Sequence, residues 1–154
     1  MTSSVSLRIY TEAQLGYMKA RVRWVGNLTF IGSADSGHYI IIDHAENKEE
    51  QMGSSPTELL LQAMLSCTAS DIVNILRKMR EPMEGLEVRA EGFRSKDYPQ
   101  LFKEINIEYI VKGKVNPDSL AKAISLSQEK YCHISIALKR SGTDVRVTSR
   151  IEDA

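Results

Sequence analysis

The stretch that decides the fold is Ser55–Met79, SPTELLLQAMLSCTASDIVNILRKM. It begins like a helix, because Ser55 is a common N-cap residue and Pro56 suits the first helical position. The apolar residues that follow cover most of the circumference of a helix, which is typical of a helix buried in a core. The sequence therefore predicts a buried central helix that carries one thiol, Cys67, near its middle.

The polarity of this helix bears on the class of protein. By length the helix could cross a membrane, since about 20 residues suffice. Six polar or charged side chains argue against a membrane partner: Glu58, Gln62, Asp71, Asn74, Arg77 and Lys78.

The chain has 20 basic and 20 acidic residues, and this balance argues against a nucleic-acid partner. No secretory signal pattern is visible at the start, so a cytoplasmic, reducing compartment is expected for the two cysteines.

Alternating apolar and polar residues on both sides of the helix predict strands. The elements expected in chain order are strands at 18–25, 28–31 and 38–43, the central helix, strands at 86–94 and 102–112, a helix at 117–131 and a strand at 144–151. The 154 residues then form a single α+β domain of order βββ-α-ββ-α-β with mainly antiparallel sheet. Residues 1–16 form an N-terminal extension of uncertain structure.

Cys67 and Cys132 are the candidates for chemistry, although they lie far apart in the chain. Spacing alone favours two inert buried cysteines, since free cysteine is among the most buried residue types. A zinc site needs more closely clustered ligands than these cysteines and His38, His44 and His133 offer. Phosphate-binding glycine motifs are absent from the sequence.

Two segments carry a resemblance: GSSPTELLLQAMLSCTASD, which contains Cys67, and EKYCHISIAL, which contains Cys132. They resemble the cysteine motifs of the OsmC/Ohr family, named for osmotically inducible protein C and organic hydroperoxide resistance protein. The segments ARVRW and SGHYIIID are similar to N-terminal strands of its OsmC-like branch. The resemblance covers about residues 18–151. It implies an OsmC-like fold with antiparallel sheets around the buried helix, in an intertwined homodimer whose interface holds both cysteines.

The resemblance also implies a thiol-dependent peroxidase that acts on organic hydroperoxides in a site lined by leucine, methionine and isoleucine. Cys67, as a thiolate, attacks the peroxide and becomes a sulfenic acid, and Cys132 condenses with it to a disulfide. An external dithiol, a lipoyl-type group in the best-known members, restores the pair, and no bound cofactor or metal is required. The alternative is a non-catalytic or redox-sensing relative that binds a small apolar ligand.

A thiolate at Cys67 needs a nearby cation, because burial opposes ionisation and the helix N-terminus is three turns away. Arg23 matches the position where related OsmC-like sequences carry a basic residue, and it is the first candidate. Arg21 on the same strand face is the second. The alternative for both side chains is a solvated strand face.

The sequence departs from the peroxidase pattern at Thr57, where the well-characterised branch has a glutamate that pairs with the arginine. The nearest acid, Glu58, lies on the opposite side of the helix from Cys67. Reaching back to the Ser55 backbone as part of the helix cap is at least as good an interpretation of Glu58 as pairing with the arginine. Asp71 lies one turn after Cys67 on nearly the same face. It either holds Arg23 in place of the missing glutamate or, if unpaired, disfavours the thiolate.

Overall fold

The computed structural model describes residues 16–153. The predicted extension, residues 1–16, therefore lies outside the described residues except for Gly16. The chain divides between Pro56 and Thr57 into two compact units, which are described separately.

The first unit contains the predicted antiparallel meander. Its strands are β1 (Ala20–Gly26), β2 (Thr29–Ala34) and β3 (Tyr39–Asp43), paired in that order. The prediction that β1 is half-buried is wrong for the single chain, because every β1 residue before Gly26 is exposed. Val22 is 62% exposed and Trp24 66%. The alternating pattern identified an apolar strand face, but a pattern cannot specify what covers that face.

The central helix, α1, spans Pro56–Lys78 as predicted and follows a one-turn 3₁₀ helix at Lys48–Glu50. Its fully buried residues form one stripe at four-residue spacing: Met64, Thr68, Ile72 and Leu76. The prediction of a helix buried on every side is thus wrong for the single chain, in which Leu60 is 40% exposed. Within the described residues, α1 alone is long and apolar enough to cross a membrane, a test that a core helix also passes.

The second unit contains a three-stranded sheet. Its strands are β4 (Met83–Arg94), β5 (Phe102–Gly113) and β6 (Asp144–Glu152), with β5 in the middle. Strands β4 and β5 are antiparallel, but β5 and β6 are parallel, which corrects the expectation of antiparallel sheets. A parallel pair requires a long crossover, and the chain between β5 and β6 supplies one made of helices.

This crossover contains α2 (Pro117–Leu126), a π-helix (Ser127–Tyr131) and α3 (His133–Arg140). The start of α2 is confirmed, because the Asn116 side chain caps it by accepting a hydrogen bond from the Asp118 backbone N–H at 2.8 Å. The predicted end is wrong, since α-helix gives way to π-helix at Ser127. Helix α3 was missed because its eight residues follow the π-helix after one intervening residue. The observed order is βββ-α-ββ-α-α-β.

Candidate functional site

Cys67 lies in an open groove on the surface of the second unit, with a volume of about 430 Å³. One wall is the side of α1 next to its buried stripe, and the other comes from the π-helix and α3. The groove is lined by Ala63, Ser66, Cys67, Ser70, Asp71, Tyr131, His133 and Ile134. Of the expected leucine, methionine and isoleucine lining, the groove of the single chain contains an isoleucine, Ile134; Met64 belongs instead to the buried stripe of α1.

Cys132 lies behind Cys67 and is completely buried. It occupies the junction between the π-helix and α3, where its Sγ accepts a hydrogen bond from the Ser135 backbone N–H at 3.5 Å. The Cys132 thiol donates a weak hydrogen bond to the Met64 backbone carbonyl of α1 at 3.9 Å, close enough to Cys67 for the two side chains to interact, and both cysteines are free thiols. The fold thus brings together the two cysteines that the resemblance paired.

The environments of the two thiols differ. Cys67 is half-buried at the groove, whereas burial raises the pKa of the Cys132 thiol to about 11. The Ser135 N–H opposes this rise, and the Cys67 contact and the Asp71 charge add to it. Cys132 is therefore protonated near neutral pH, and Cys67 is the accessible sulfur of the pair.

His133, the first residue of α3, places its Nδ1 3.8 Å from the Sγ of Cys67. Sequence reasoning weighed this histidine only as a zinc ligand, because α3 was not predicted. Its position directly after Cys132 was the available signal. Across residues 16–153, the structure contains no group of three or more His, Cys, Asp or Glu side chains arranged to hold a metal.

The remaining predicted site residues lie in different places. Asp71 lines the groove and accepts a hydrogen bond from the Ser127 hydroxyl at 2.8 Å. Glu58 is exposed in the first turn of α1, and its capping role stays a prediction. Arg21 and Arg23 are exposed on β1 in the first unit, and their role at the thiol stays a prediction.

A chain of hydrogen bonds, here called the buried polar chain, joins α1, β5, the π-helix and α3. Its bonds join Ser135 Oγ to Gln128 Oε1 (2.6 Å), Gln128 Nε2 to Tyr109 Oη (2.8 Å), Tyr109 Oη to Thr68 Oγ1 (2.7 Å), Thr68 Oγ1 to Ser127 Oγ (2.8 Å) and Ser127 Oγ to Asp71 Oδ2 (2.8 Å). An amide N–H only donates and a carboxylate only accepts. Each hydroxyl in the chain therefore donates toward Asp71.

Tyr109 is the middle of the buried polar chain. Burial raises the pKa of Tyr109, so its hydroxyl stays protonated and can donate to Thr68. Among residues 16–153 of the protein, no buried side-chain nitrogen or oxygen atom lacks a hydrogen-bond partner.

The π-helix connects the buried polar chain to the thiols. Its wider turn is closed by a hydrogen bond of 2.7 Å from the Cys132 backbone N–H to the Ser127 carbonyl. Ser127 and Gln128 are both buried in this turn, and both belong to the buried polar chain. Ser127 is hydrogen-bonded to Thr68 and Asp71, so the start of the π-helix is fixed against the Cys67 side of α1.

The family described as OsmC-like protein matches this chain over residues 47–148. The chain belongs to the OsmC-like family. Protein YhfA of Escherichia coli (strain K12) is 39% identical over 125 residues, which cover 80% of this chain and 91% of that protein.

Solved structures agree with this membership. A hypothetical protein from Aquifex aeolicus has 28% sequence identity and a TM-score of 0.80, covering 90% of this chain and 98% of that one. The organic hydroperoxide resistance protein OhrB of Bacillus subtilis has 18% identity and a TM-score of 0.61, covering 87% and 98%. The OsmC-like fold predicted from the two cysteine motifs is therefore confirmed.

In this OsmC-like protein, Tyr109→Phe tests the buried polar chain. Removing the hydroxyl leaves Gln128 Nε2 and Thr68 Oγ1 without their short bonds to it, so we expect a loss of about 1–3 kcal/mol in the free energy of unfolding. Urea unfolding followed by circular dichroism measures this loss. Tyr98→Phe is the matched control, because Tyr98 is 89% exposed and its change should be within about 0.5 kcal/mol. Equal stabilities for the two variants would contradict a structural role for the chain.

Proposed function

We propose that this protein is a thiol-dependent peroxidase that reduces organic hydroperoxides with Cys67 and Cys132. The observation that carries the proposal is the contact between the two free thiols, one half-buried at an open groove and the other fully buried. Membership of a family that includes proteins named for organic hydroperoxide resistance supports it.

The proposed reaction has two chemical steps on the protein. The Cys67 thiolate attacks the distal peroxide oxygen, the O–O bond breaks, and the alkoxide leaves as an alcohol once it gains a proton. This step oxidises Cys67 to a sulfenic acid. The Cys132 sulfur then attacks the Cys67 sulfur, forming the disulfide and releasing the sulfenic hydroxyl as water with the thiol proton of Cys132.

The groove fits a small hydroperoxide with an apolar body. Ala63, Ile134 and the ring of Tyr131 supply apolar contact, and the hydroxyls of Ser66 and Ser70 supply hydrogen bonds. Its openness permits organic groups of different sizes to reach the Cys67 sulfur. These features favour organic hydroperoxides as the substrate class.

An external dithiol completes the cycle in this proposal. It attacks the Cys67 sulfur, which is the accessible one, and its second thiol then releases the protein by forming a ring disulfide. A lipoyl-type dithiol suits this chemistry because its two thiols are held close together. We propose a cytoplasmic location, since the reduced pair must be regenerated.

We further propose that the protein acts as an intertwined homodimer. Exposed apolar residues occur on both units of the single chain, among them Val22, Trp24, Tyr39, Ile41 and Leu60. Val22, Trp24 and Ile40 lie on one face of the β1–β2–β3 sheet, and an exposed apolar face of this kind is typical of an association surface. Sedimentation velocity at micromolar concentration should show a dimer and no monomer; a monodisperse monomer would overturn this part of the proposal.

The peroxidase proposal predicts which cysteines a peroxide oxidises. One equivalent of cumene hydroperoxide should convert the reduced protein to an intrasubunit Cys67–Cys132 disulfide and release one equivalent of cumyl alcohol. Cys132→Ser should stop at a sulfenic acid on Cys67, because the condensing thiol is gone. Cys67→Ser should consume no peroxide, because the remaining thiol is buried and protonated.

Non-reducing peptide mapping by mass spectrometry, with dimedone to trap sulfenic acid, measures these outcomes. A protein denatured before peroxide addition is the control for the intrinsic reactivity of the two cysteines. If both thiols stay free in the folded protein, the peroxidase proposal fails and the ligand-binding alternative is the better interpretation.

A further inference from the structure

We propose that His133 is the catalytic base of this site, which takes the thiol proton of Cys67 and returns it to the leaving alkoxide. The contact between His133 and Cys67 is a geometric observation. The return of the proton to the alkoxide rests on the proposed peroxidase function. His133 would thus supply the cation beside Cys67 that the sequence analysis expected from Arg23, and in addition accept the thiol proton.

The position of His133 follows from the cap of α3. Cys132 is the N-cap residue, and its sulfur is held inward by the Ser135 N–H. The next residue, His133, lines the groove and contacts Cys67, so the cap directs one side chain into the core and the next toward the Cys67 sulfur. The 3.8 Å separation of Nδ1 and Sγ is within hydrogen-bonding range for the larger sulfur atom.

The chemistry requires a particular tautomer. With its proton on Nε2, a neutral imidazole has a lone pair on Nδ1 and can accept the Cys67 proton. Histidine is suited to this role because its charge changes near neutral pH. Once protonated, the imidazolium is itself the cation that a thiolate needs at its side.

The other charged or titratable groups around Cys67 in the second unit fit the same assignment. The protonated Cys132 thiol donates to the Met64 carbonyl and interacts with the nearby Cys67 side chain. Asp71, one turn along α1, disfavours a thiolate but favours an imidazolium in the groove that both residues line. Tyr131 lines the same groove, and the Lys139 ammonium of α3 donates a hydrogen bond to the Gln128 backbone carbonyl at 2.8 Å. His133 is therefore the basic side chain in direct contact with the Cys67 sulfur.

The proton balance of the first step then closes within the site. Transfer of the thiol proton to Nδ1 gives a thiolate and an imidazolium. The thiolate forms the S–O bond as the O–O bond breaks, and the departing alkoxide takes the proton back from Nδ1. The products are the sulfenic acid, the alcohol and neutral His133, ready for the next cycle.

The test measures iodoacetamide alkylation of the reduced, full-length protein between pH 5 and 10, with each cysteine quantified separately by mass spectrometry. We expect His133→Gln to slow alkylation of Cys67 at pH 7 about tenfold and to move the rise of the alkylation rate to higher pH, because the neighbouring base is lost. The rates of the two proteins should converge near pH 10, where the base is no longer needed. His44→Gln is the control, because His44 is exposed in the first unit.

A reciprocal measurement distinguishes coupling between the Cys67 thiol and the His133 imidazole from misfolding of the His133→Gln variant. Cys67→Ser should lower the pH at which the His133 ring titrates, followed by its NMR signals, because the ring loses a thiolate partner. The proposal fails if His133→Gln and wild type give superimposable profiles, or if Arg23→Ala alone reproduces the tenfold loss. If the alkylation result holds but wild type consumes no peroxide, the peroxidase function fails while the thiol–imidazole pair stands.

Discussion

The structure of the site depends on one constraint, which is that every member of the buried polar chain must be hydrogen-bonded. A satisfied hydrogen bond contributes about 0.5–1.5 kcal/mol, whereas a buried group left unpaired costs about 1–3 kcal/mol. Asp71 on α1 fixes one end of the chain and Ser135 on α3 lies at the other. A shift of either helix by one residue would leave several groups unpaired at once, so the two helices are held in one register. That register places Cys132 beside Cys67.

The π-helix in the crossover between β5 and β6 connects the buried polar chain to Cys132. Ser127 still donates its backbone N–H to carbonyls of α2, so the wider turn acts on the residues that follow it. The turn closes with the Cys132 N–H on the Ser127 carbonyl, and it thereby sets where Cys132 enters α3 relative to the buried polar chain. A local departure from regular helix therefore sets the geometry of the thiol pair, as π-turns often do at functional sites.

Much of the fold could be predicted from the sequence, because the strands alternate and both long helices begin with proline after a capping residue. The surface that packs against the apolar faces of β1 and α1 could not be predicted, because the periodicity of apolar residues does not specify which element covers them. The parallel pairing of β6 and the short α3 depend on contacts between distant parts of the chain. The pairing of Cys67 with Cys132 came from family resemblance. The contact of His133 with Cys67 and the buried polar chain are visible only in the three-dimensional arrangement, because Thr68, Tyr109 and Gln128 form no recognisable motif in the sequence.

The central claim is that Cys67 and Cys132 form one two-electron redox pair. Equilibration with lipoate and dihydrolipoate mixtures of defined ratio, followed by acid quenching and mass spectrometry, measures it directly. The account predicts a single transition between dithiol and intrasubunit Cys67–Cys132 disulfide, with about 30 mV for each tenfold change in their ratio. Persistence of both free thiols under the most oxidising mixtures, or oxidation only to mixed or intersubunit disulfides, would contradict it.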